Sequence, residues 1–190
     1  MIQAVIFDCF GVLATDGWLP FRALHFGSKP ELLEQARAHN IRVDSGLMTY
    51  HDFMLWLAKE TGVPFATVRK TIEANVANEP LFEYIQDELA SKYRIGMLSN
   101  AGANWLNDLF EPWQVALFDE AVLSYQVGIV KPNPAIYEIT ATKLGVLPEE
   151  AVFVDDRIEF VEGARATGMK AVHYRSFNQM KTELEALLRA

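Results

Sequence analysis

The chain has 190 residues, of which 51% are hydrophobic and 22% are charged, values typical of a globular protein that buries a sizeable core. Its formal net charge is −8. Because such a field repels polyanions, we expect neither nucleic acid nor an anionic membrane surface as a general partner. Cys9 is the one cysteine, which excludes an intramolecular disulfide. No run of 18 apolar residues occurs that would predict a membrane span, and we expect a cytoplasmic protein.

The first apolar run, residues 4–7, predicts a strand buried on both faces. Asp8 follows it directly, and Gly11 lets the chain turn away sharply. Open α/β sheets bind ligands at the carboxyl ends of their strands, so Asp8 is a candidate site residue. Taken alone, an aspartate at this position can equally cap a turn.

A series of helical patterns follows with no strand between them. Prolines at first helical positions, glycine stops and apolar spacing indicate four helices, at residues 20–26, 30–39, 50–61 and 64–77. A further helix opens at Pro80. We therefore predict a helical bundle inserted at residues 16–79, between the two parts of a core domain formed by residues 1–15 and 80–190.

Strands and helices then alternate along the rest of the chain. Strands are predicted at residues 94–99, 121–124, 151–154 and 170–174. Asn133 caps one of the intervening helices, and Ser176 with Gln179 forms a capping box for the last one. Parallel strands joined by helices form a doubly wound sheet. The predicted fold class is therefore α/β, a doubly wound, Rossmann-like parallel sheet with an inserted helical bundle.

Polar side chains follow three of the predicted strands. They are Asp8, the pair Ser99-Asn100 and the pair Asp155-Asp156, with Lys131 in a loop between the last two. Because the carboxyl ends of parallel strands open on one edge, these groups can converge. Carboxylates supply the hard oxygen ligands that Mg²⁺ prefers, and a lysine with a hydroxyl suits the oxygens of a phosphate. Asp8 can then act as a nucleophile that forms an aspartyl-phosphate.

Four short motifs carry these residues, at positions 5–13 (VIFDCFGVL), 97–100 (MLSN), 128–137 (GIVKPNPAIY) and 152–156 (VFVDD). With them the chain resembles the haloacid dehalogenase-like hydrolase superfamily over essentially its full length. The inserted helices resemble the four-helix cap of one subfamily, which closes over the site and selects the substrate. The nearest branches are the sugar-1-phosphate phosphatases and the N-terminal domains of epoxide hydrolases.

The resemblance implies roles in substrate handling. Asp8 would be the nucleophile, and Ser99 and Lys131 would hold the transferred group, with Asn100 beside them. Arg22, near the start of the insertion, is a further candidate for contact with an anionic substrate. The partner implied is a small phosphorylated metabolite.

The resemblance also implies a magnesium site. Asp156 would be the principal Mg²⁺ ligand, with Asp8 and the backbone carbonyl of Phe10 as further ligands. Asp155 would bind the ion directly or through water.

Phe10 departs from the pattern of the family's phosphatases. In these enzymes the residue two after the nucleophile is a second aspartate, which protonates the leaving oxygen and later activates water. Phe10 can do neither, and losing a positioned acid/base group typically costs about 10²–10⁴-fold in rate. The favoured interpretation is a slow Mg²⁺-dependent phosphatase for a phosphomonoester with a good leaving group, such as a sugar-1-phosphate.

Two alternatives remain open. In having an aromatic residue at position 10, the chain resembles the branch that removes halide from 2-haloacids without a metal. That reaction tolerates the loss of the acid, because halide needs no proton to leave. The acidic pair Asp155-Asp156 counts against this branch, which has serines and an asparagine in that motif. The other alternative is a non-catalytic or regulatory binding module that keeps the fold and the metal site.

Overall fold

A computed structural model describes residues 1–189 of the chain. Within that range the sheet has five parallel strands in the order β3-β2-β1-β4-β5. Their bounds are Ala4–Phe7 (β1), Arg94–Ser99 (β2), Glu120–Leu123 (β3), Ala151–Asp155 (β4) and Lys170–His173 (β5). Each predicted strand is present, with bounds within one residue of the prediction. The α/β fold class is confirmed.

Strand β1 lies at the centre of the sheet, paired with β2 on one side and β4 on the other. All four of its residues are completely buried, which explains why it is apolar without alternation. Separate apolar clusters cover the two faces of the sheet. This arrangement places Asp8, the residue after β1, at the middle of the carboxyl edge.

From residue 79 onward, the helices that pack on the sheet alternate with its strands along the chain. A helix at Glu79–Tyr84 (α5) continues as a π-helical turn at Ile85–Leu89. The others are Leu106–Leu109 (α6), Pro112–Val115 (α7), Ser124–Val127 (α8), Pro134–Lys143 (α9), Ile158–Ala166 (α10) and Phe177–Arg189 (α11). No helix among residues 1–189 combines the length and the apolar character that crossing a bilayer requires.

Four helices between β1 and α5 pack around an apolar cluster of their own. They are Trp18–Phe26 (α1), Pro30–Asp44 (α2), Tyr50–Thr61 (α3) and Phe65–Glu73 (α4), and we call them the helical insertion. Two predicted ends were wrong. Helix α2 runs to Asp44 rather than to residue 39, because no helix breaker occurs before Gly46, which takes a left-handed conformation with φ of 71°. Helix α4 ends at Glu73 rather than near residue 77.

The early end of α4 is explained by contacts with the segment that follows β1. Asn75 uses its side chain to accept a hydrogen bond from Gly17 N at 2.8 Å and to donate one to Ile72 O at 3.0 Å. The chain then pairs with the segment after β1, where Thr15 N donates to Val76 O at 3.0 Å. These contacts tie the two connections of the helical insertion together, and such pairing over a long sequence distance leaves no local pattern.

Candidate active site

The side chain of Lys131 joins two carboxylates at the carboxyl edge of the sheet. Its Nζ donates to Asp8 Oδ1 and to Asp155 Oδ2, each at 2.6 Å, and to the carbonyl of Leu98 at 3.2 Å. Lys131 is only 2% exposed. Burial lowers the pKa of its ammonium, but the charges of Asp155 and Asp8 outweigh that effect, so its pKa lies above the ordinary value. The ammonium is therefore held in its charged form beside the proposed nucleophile.

Asn100 fixes the loop that carries Lys131. Its Oδ1 accepts from Lys131 N at 2.8 Å, and its Nδ2 donates to Lys131 O at 3.1 Å. This two-point bond connects the end of β2 to the loop before α9. Ser99, the last residue of β2, is buried, and it lines a cavity at this edge of the sheet together with Asp8 and Lys131. The structure thus brings together the residues predicted to hold the transferred group, and shows Asn100 in a contact that orients Lys131.

The two neighbouring aspartates after β4 have different surroundings. Asp155 is completely buried, and besides the bond from Lys131 its Oδ1 accepts from Arg157 N at 2.8 Å. Asp156 Oδ1 is buried and has no hydrogen-bond partner among residues 1–189. Gly11 lies against this carboxylate, since a Cβ there would come within 2.5 Å of Asp156 Oδ2. A buried carboxylate oxygen without a hydrogen-bond partner is suited to bind a cation.

Three carboxylates are thus gathered around one ammonium. One oxygen from each of Asp8, Asp155 and Asp156 lies within 4.8 Å of the others. Burial, followed by the charge of Asp155, raises the pKa of Asp156 to about 6. Burial is also the main cause that raises the pKa of Asp8 to about 8, with the charges of Asp155 and Asp156 adding to it against Lys131. A set of hard oxygen donors with excess negative charge fits a magnesium ion.

Phe10 forms part of an aromatic wall rather than a polar one. Its ring meets Trp105 edge to face with centroids 5.1 Å apart, and Trp105 meets Tyr50 of α3 in the same way at 5.7 Å. Phe10 lines the same cavity as Asp8. It offers no group that can exchange a proton, so any acid/base function must come from another residue or from water.

A cavity of about 990 Å³ lies between the carboxyl edge of the sheet and the helical insertion. Arg22 of α1 lies in its wall, with the guanidinium carbon 5.9 Å from the centroid of the Trp18 ring. Burial and the like charges of Arg37 and Arg157 lower the pKa of Arg22. No carboxylate lies within salt-bridge distance of it in the part of the chain that the structure describes. Its guanidinium is available to an anionic group in the cavity.

Among the carboxyl groups of this cavity that sequence reasoning missed, Asp16 and Asp44 are the two that are at least partly buried. Asp16 Oδ1 accepts from Trp18 N at 2.7 Å and Leu19 N at 3.0 Å, so this residue caps α1. Asp44 lies in the last turn of α2, beyond the predicted end of that helix. The absence of a helix breaker after residue 39 was the signal that would have placed Asp44 on the helix.

Comparison with known proteins finds a family whose model matches most of the chain and a relative that matches a shorter segment. The family model for the haloacid dehalogenase-like hydrolases matches residues 2–168. A glyceraldehyde 3-phosphate phosphatase from Methanopyrus kandleri is 48% identical over 59 residues, a match that spans 30% of this chain and only 25% of that protein.

Solved structures share the fold over the whole chain. A protein from Porphyromonas gingivalis, described as a predicted HAD-like family hydrolase, superposes with a TM-score of 0.77 at 25% identity, covering 100% of this chain and 99% of that one. A HAD family enzyme from Bacteroides thetaiotaomicron, in complex with magnesium and inorganic phosphate, gives 0.72 at 20% identity, covering 93% and 96%. At that identity the second likeness shows the fold alone.

Proposed function

The chain belongs to the haloacid dehalogenase-like hydrolases, and we propose that it is a magnesium-dependent phosphatase that acts on a small phosphomonoester through an aspartyl-phosphate at Asp8. One observation carries the proposal: Lys131 bridges Asp8 and Asp155 while a neighbouring buried oxygen of Asp156 has no partner. A lone lysine cannot neutralise three carboxylates and an incoming phosphate. A divalent cation offsets, together with Lys131, the charge of the three carboxylates and so reduces their repulsion of the phosphate.

Each residue has a task in this proposal. The oxygen of Asp8 that Lys131 does not bind attacks phosphorus, and the ammonium of Lys131 reduces the repulsion between that carboxylate and the phosphate. Ser99 donates its hydroxyl to the transferred group. Asp156, Asp8 and the carbonyl of Phe10 would hold the magnesium ion, which would supply positive charge to offset that of the phosphate oxygens.

The engagement of Asp155 favours the indirect form of its proposed contact with the ion. Both of its oxygens already accept hydrogen bonds, from Lys131 Nζ and from Arg157 N. We therefore infer that Asp155 acts mainly by orienting Lys131, and that it meets the metal through water.

Phe10 defines the substrate class that we propose. Without an acid at position 10, the leaving oxygen must either be of low basicity, as the anomeric oxygen of a sugar-1-phosphate is, or receive its proton from another residue of the cavity. Arg22 and the cavity of about 990 Å³ leave room for such a metabolite. A phosphatase among the relatives and a magnesium and phosphate complex among the structural neighbours support a phosphatase, without bearing on the leaving group.

Phe10 also favours a second candidate, a binding module that holds a phosphorylated ligand without turning it over. The two candidates share the fold and the metal site, and they differ in whether phosphorus is transferred to Asp8. A metal-independent dehalogenase is disfavoured by the acidic pair Asp155-Asp156, which is costly to bury without a cation.

The deciding experiment measures release of p-nitrophenol from p-nitrophenyl phosphate with Mg²⁺ and then with EDTA. We expect turnover that requires Mg²⁺, is lost in Asp8→Asn, and is kept in Asp87→Asn, which makes the same change at an exposed position. No turnover of this activated substrate would favour the binding module. Chloride release from 2-chloropropionate in the presence of EDTA would establish the dehalogenase instead.

A further inference from the structure

A buried carboxyl group stands in the cavity wall opposite the sheet, on the helical insertion. Asp44 is 8% exposed, and its Oδ2 accepts from Asn40 Nδ2 at 2.7 Å. Its Oδ1 accepts no hydrogen bond within residues 1–189 and is not sealed from the cavity, which Asp44 lines together with Asp8 and Phe10. A carboxyl oxygen of this kind is free to exchange a proton with a molecule bound in the cavity.

The position of Asp44 is fixed relative to the sheet. Ser124 Oγ donates to the backbone carbonyl of Asp44 at 2.6 Å and accepts from Ala101 N at 2.9 Å. Next to this bridge, the side chain of Val43 occupies the space that a Cβ on Gly102 would need. The last turn of α2 therefore packs against the loop that follows Ser99, the last residue of β2. Asp44 lines the cavity next to that loop.

The surroundings of Asp44 suit proton exchange near neutral pH. Burial raises its pKa to about 7, Asp16 adds to this rise, and the hydrogen bond from Asn40 and the charges of Lys131 and Arg157 oppose it. Arg22 of α1 and Arg37 of α2 are further charged groups that line the cavity. A general acid or base works best when its pKa is close to the working pH.

The other carboxyl groups of the cavity are occupied or exposed. Asp16 is only partly buried and caps α1 through its Oδ1. Glu73 is exposed and paired with Arg69, and Glu159 is exposed and paired with Arg157. Asp108 is exposed to solvent. Among the carboxyl groups that line the cavity outside the proposed metal site, Asp44 is the one that is both buried and open to a ligand on one oxygen.

We propose that Asp44 is the general acid and base of this active site and performs from the helical insertion the task that Phe10 cannot. The inference rests on the proposed function. In the first step Asp8 forms its bond to phosphorus, the bond from phosphorus to the leaving oxygen breaks, and the proton of Asp44 passes to that oxygen. In the second step Asp44, now a carboxylate, takes a proton from water as the hydroxyl adds to phosphorus and the bond to Asp8 breaks.

The test compares two leaving groups in wild type and Asp44→Asn, which keeps the size of the side chain and an oxygen for Asn40. Turnover of a primary alkyl phosphate should fall about 10²–10⁴-fold relative to wild type. The first burst of p-nitrophenol from p-nitrophenyl phosphate should change by less than a few-fold, because that group leaves without a proton. Steady-state turnover of the same substrate should fall, and phosphate should accumulate on Asp8.

Two controls separate catalysis from structure. Asp87→Asn makes the same change at an exposed carboxyl outside the cavity, and it should leave both steps near wild type. Asn40→Ala removes the donor that stabilises the Asp44 carboxylate, so the alkaline limb of the alkyl phosphate profile should move to higher pH, and Asp44→Asn should lack that limb.

The results distinguish this inference from the proposed function. If wild type shows no turnover that needs Asp8, the proposed function fails and the role of Asp44 fails with it. If wild type turns over but Asp44→Asn slows the burst as much as the alkyl reaction, or slows neither, the role of Asp44 alone is refuted.

Discussion

Lys131 is the residue on which the charge balance of the site depends. Its ammonium is nearly inaccessible and contacts two carboxylates at 2.6 Å, and the rings of Phe160 and Phe153 lie 4.9 and 5.2 Å from it. Burying an ion pair gains little stability on balance, because both ions lose their hydration. The contacts of Lys131 therefore serve mainly to hold Asp8 and Asp155 in one orientation, rather than to stabilise the fold.

Asp44 should also give the stability of the protein a dependence on pH. Its pKa is about 7 in the folded protein, whereas an aspartate in the unfolded chain has the ordinary value of 3.8. Between these values the folded chain holds a proton that the unfolded chain has released. The free energy of unfolding should therefore fall as pH rises from about 4 to 7, by at most about 1.4 kcal/mol per pH unit from this group.

Urea unfolding at a series of pH values in EDTA measures this effect as the difference between wild type and Asp44→Asn. The other carboxyl groups are common to both proteins and cancel in that difference. We expect Asp44→Asn to gain relative stability toward pH 7. A difference that stays constant with pH would show that the folded state does not hold a proton on Asp44.

At the scale of elements, the central strands were predictable and the insertion was less so. Strand β1 is apolar at every position because both of its faces are covered, and that pattern can be read locally. The end of α4 depends on contacts with a distant segment, such as Asn75 with Gly17. Helix α2, in contrast, continues to Asp44 because no helix breaker occurs before Gly46. The four-residue helices α6, α7 and α8 are too short to show a helical period. Their positions follow from packing on the sheet.

The contact between α2 and the loop after β2 gives a prediction at this scale. Gly102→Ala places a methyl group where Val43 lies, so it should reduce the free energy of unfolding by about 1–3 kcal/mol, as overpacking does. Val43→Ala should also destabilise, by loss of a buried side chain. Combined, the two changes should cost less than their sum, because the smaller side chain makes room for the methyl group.

Urea unfolding of the two single variants and the double variant measures this coupling. Gly128→Ala is not a suitable control, because Gly128 has a positive φ of 71°. An additive result would mean that α2 does not rest on the loop after β2, and it would remove the support for the placement of Asp44.

At the scale of the whole molecule, the sequence located the candidate site better than its surroundings. The residues predicted at strand ends, Asp8, Ser99 and the pair Asp155-Asp156, do lie at one edge because a parallel sheet aligns its carboxyl ends, and Lys131 reaches them from a loop. The roles assigned to them stay predictions, as do the domain bounds at 15/16 and 79/80. Asp44 could not be found in this way, because its distance from the sheet in sequence is bridged only by packing.

Magnesium binding should be visible as stability of the whole protein. A ligand that binds only the folded state stabilises it by about 2.7 kcal/mol at a concentration of 100 times Kd, and for a chain of this size each kcal/mol raises Tm by about 2–4 °C. We expect Mg²⁺ to raise Tm in wild type and not in Asp156→Asn, because that change replaces the carboxylate whose buried oxygen has no partner.

The matched control is Glu162→Gln, which alters an exposed carboxylate paired with Arg165 on α10, the helix that follows the acidic pair. It should keep the full shift of Tm with Mg²⁺. Asp155→Asn should lose less of the shift than Asp156→Asn, since its oxygens are engaged by Lys131 and the backbone of Arg157. An undiminished shift in Asp156→Asn would place the metal elsewhere and leave the orphaned oxygen of Asp156 without its explanation.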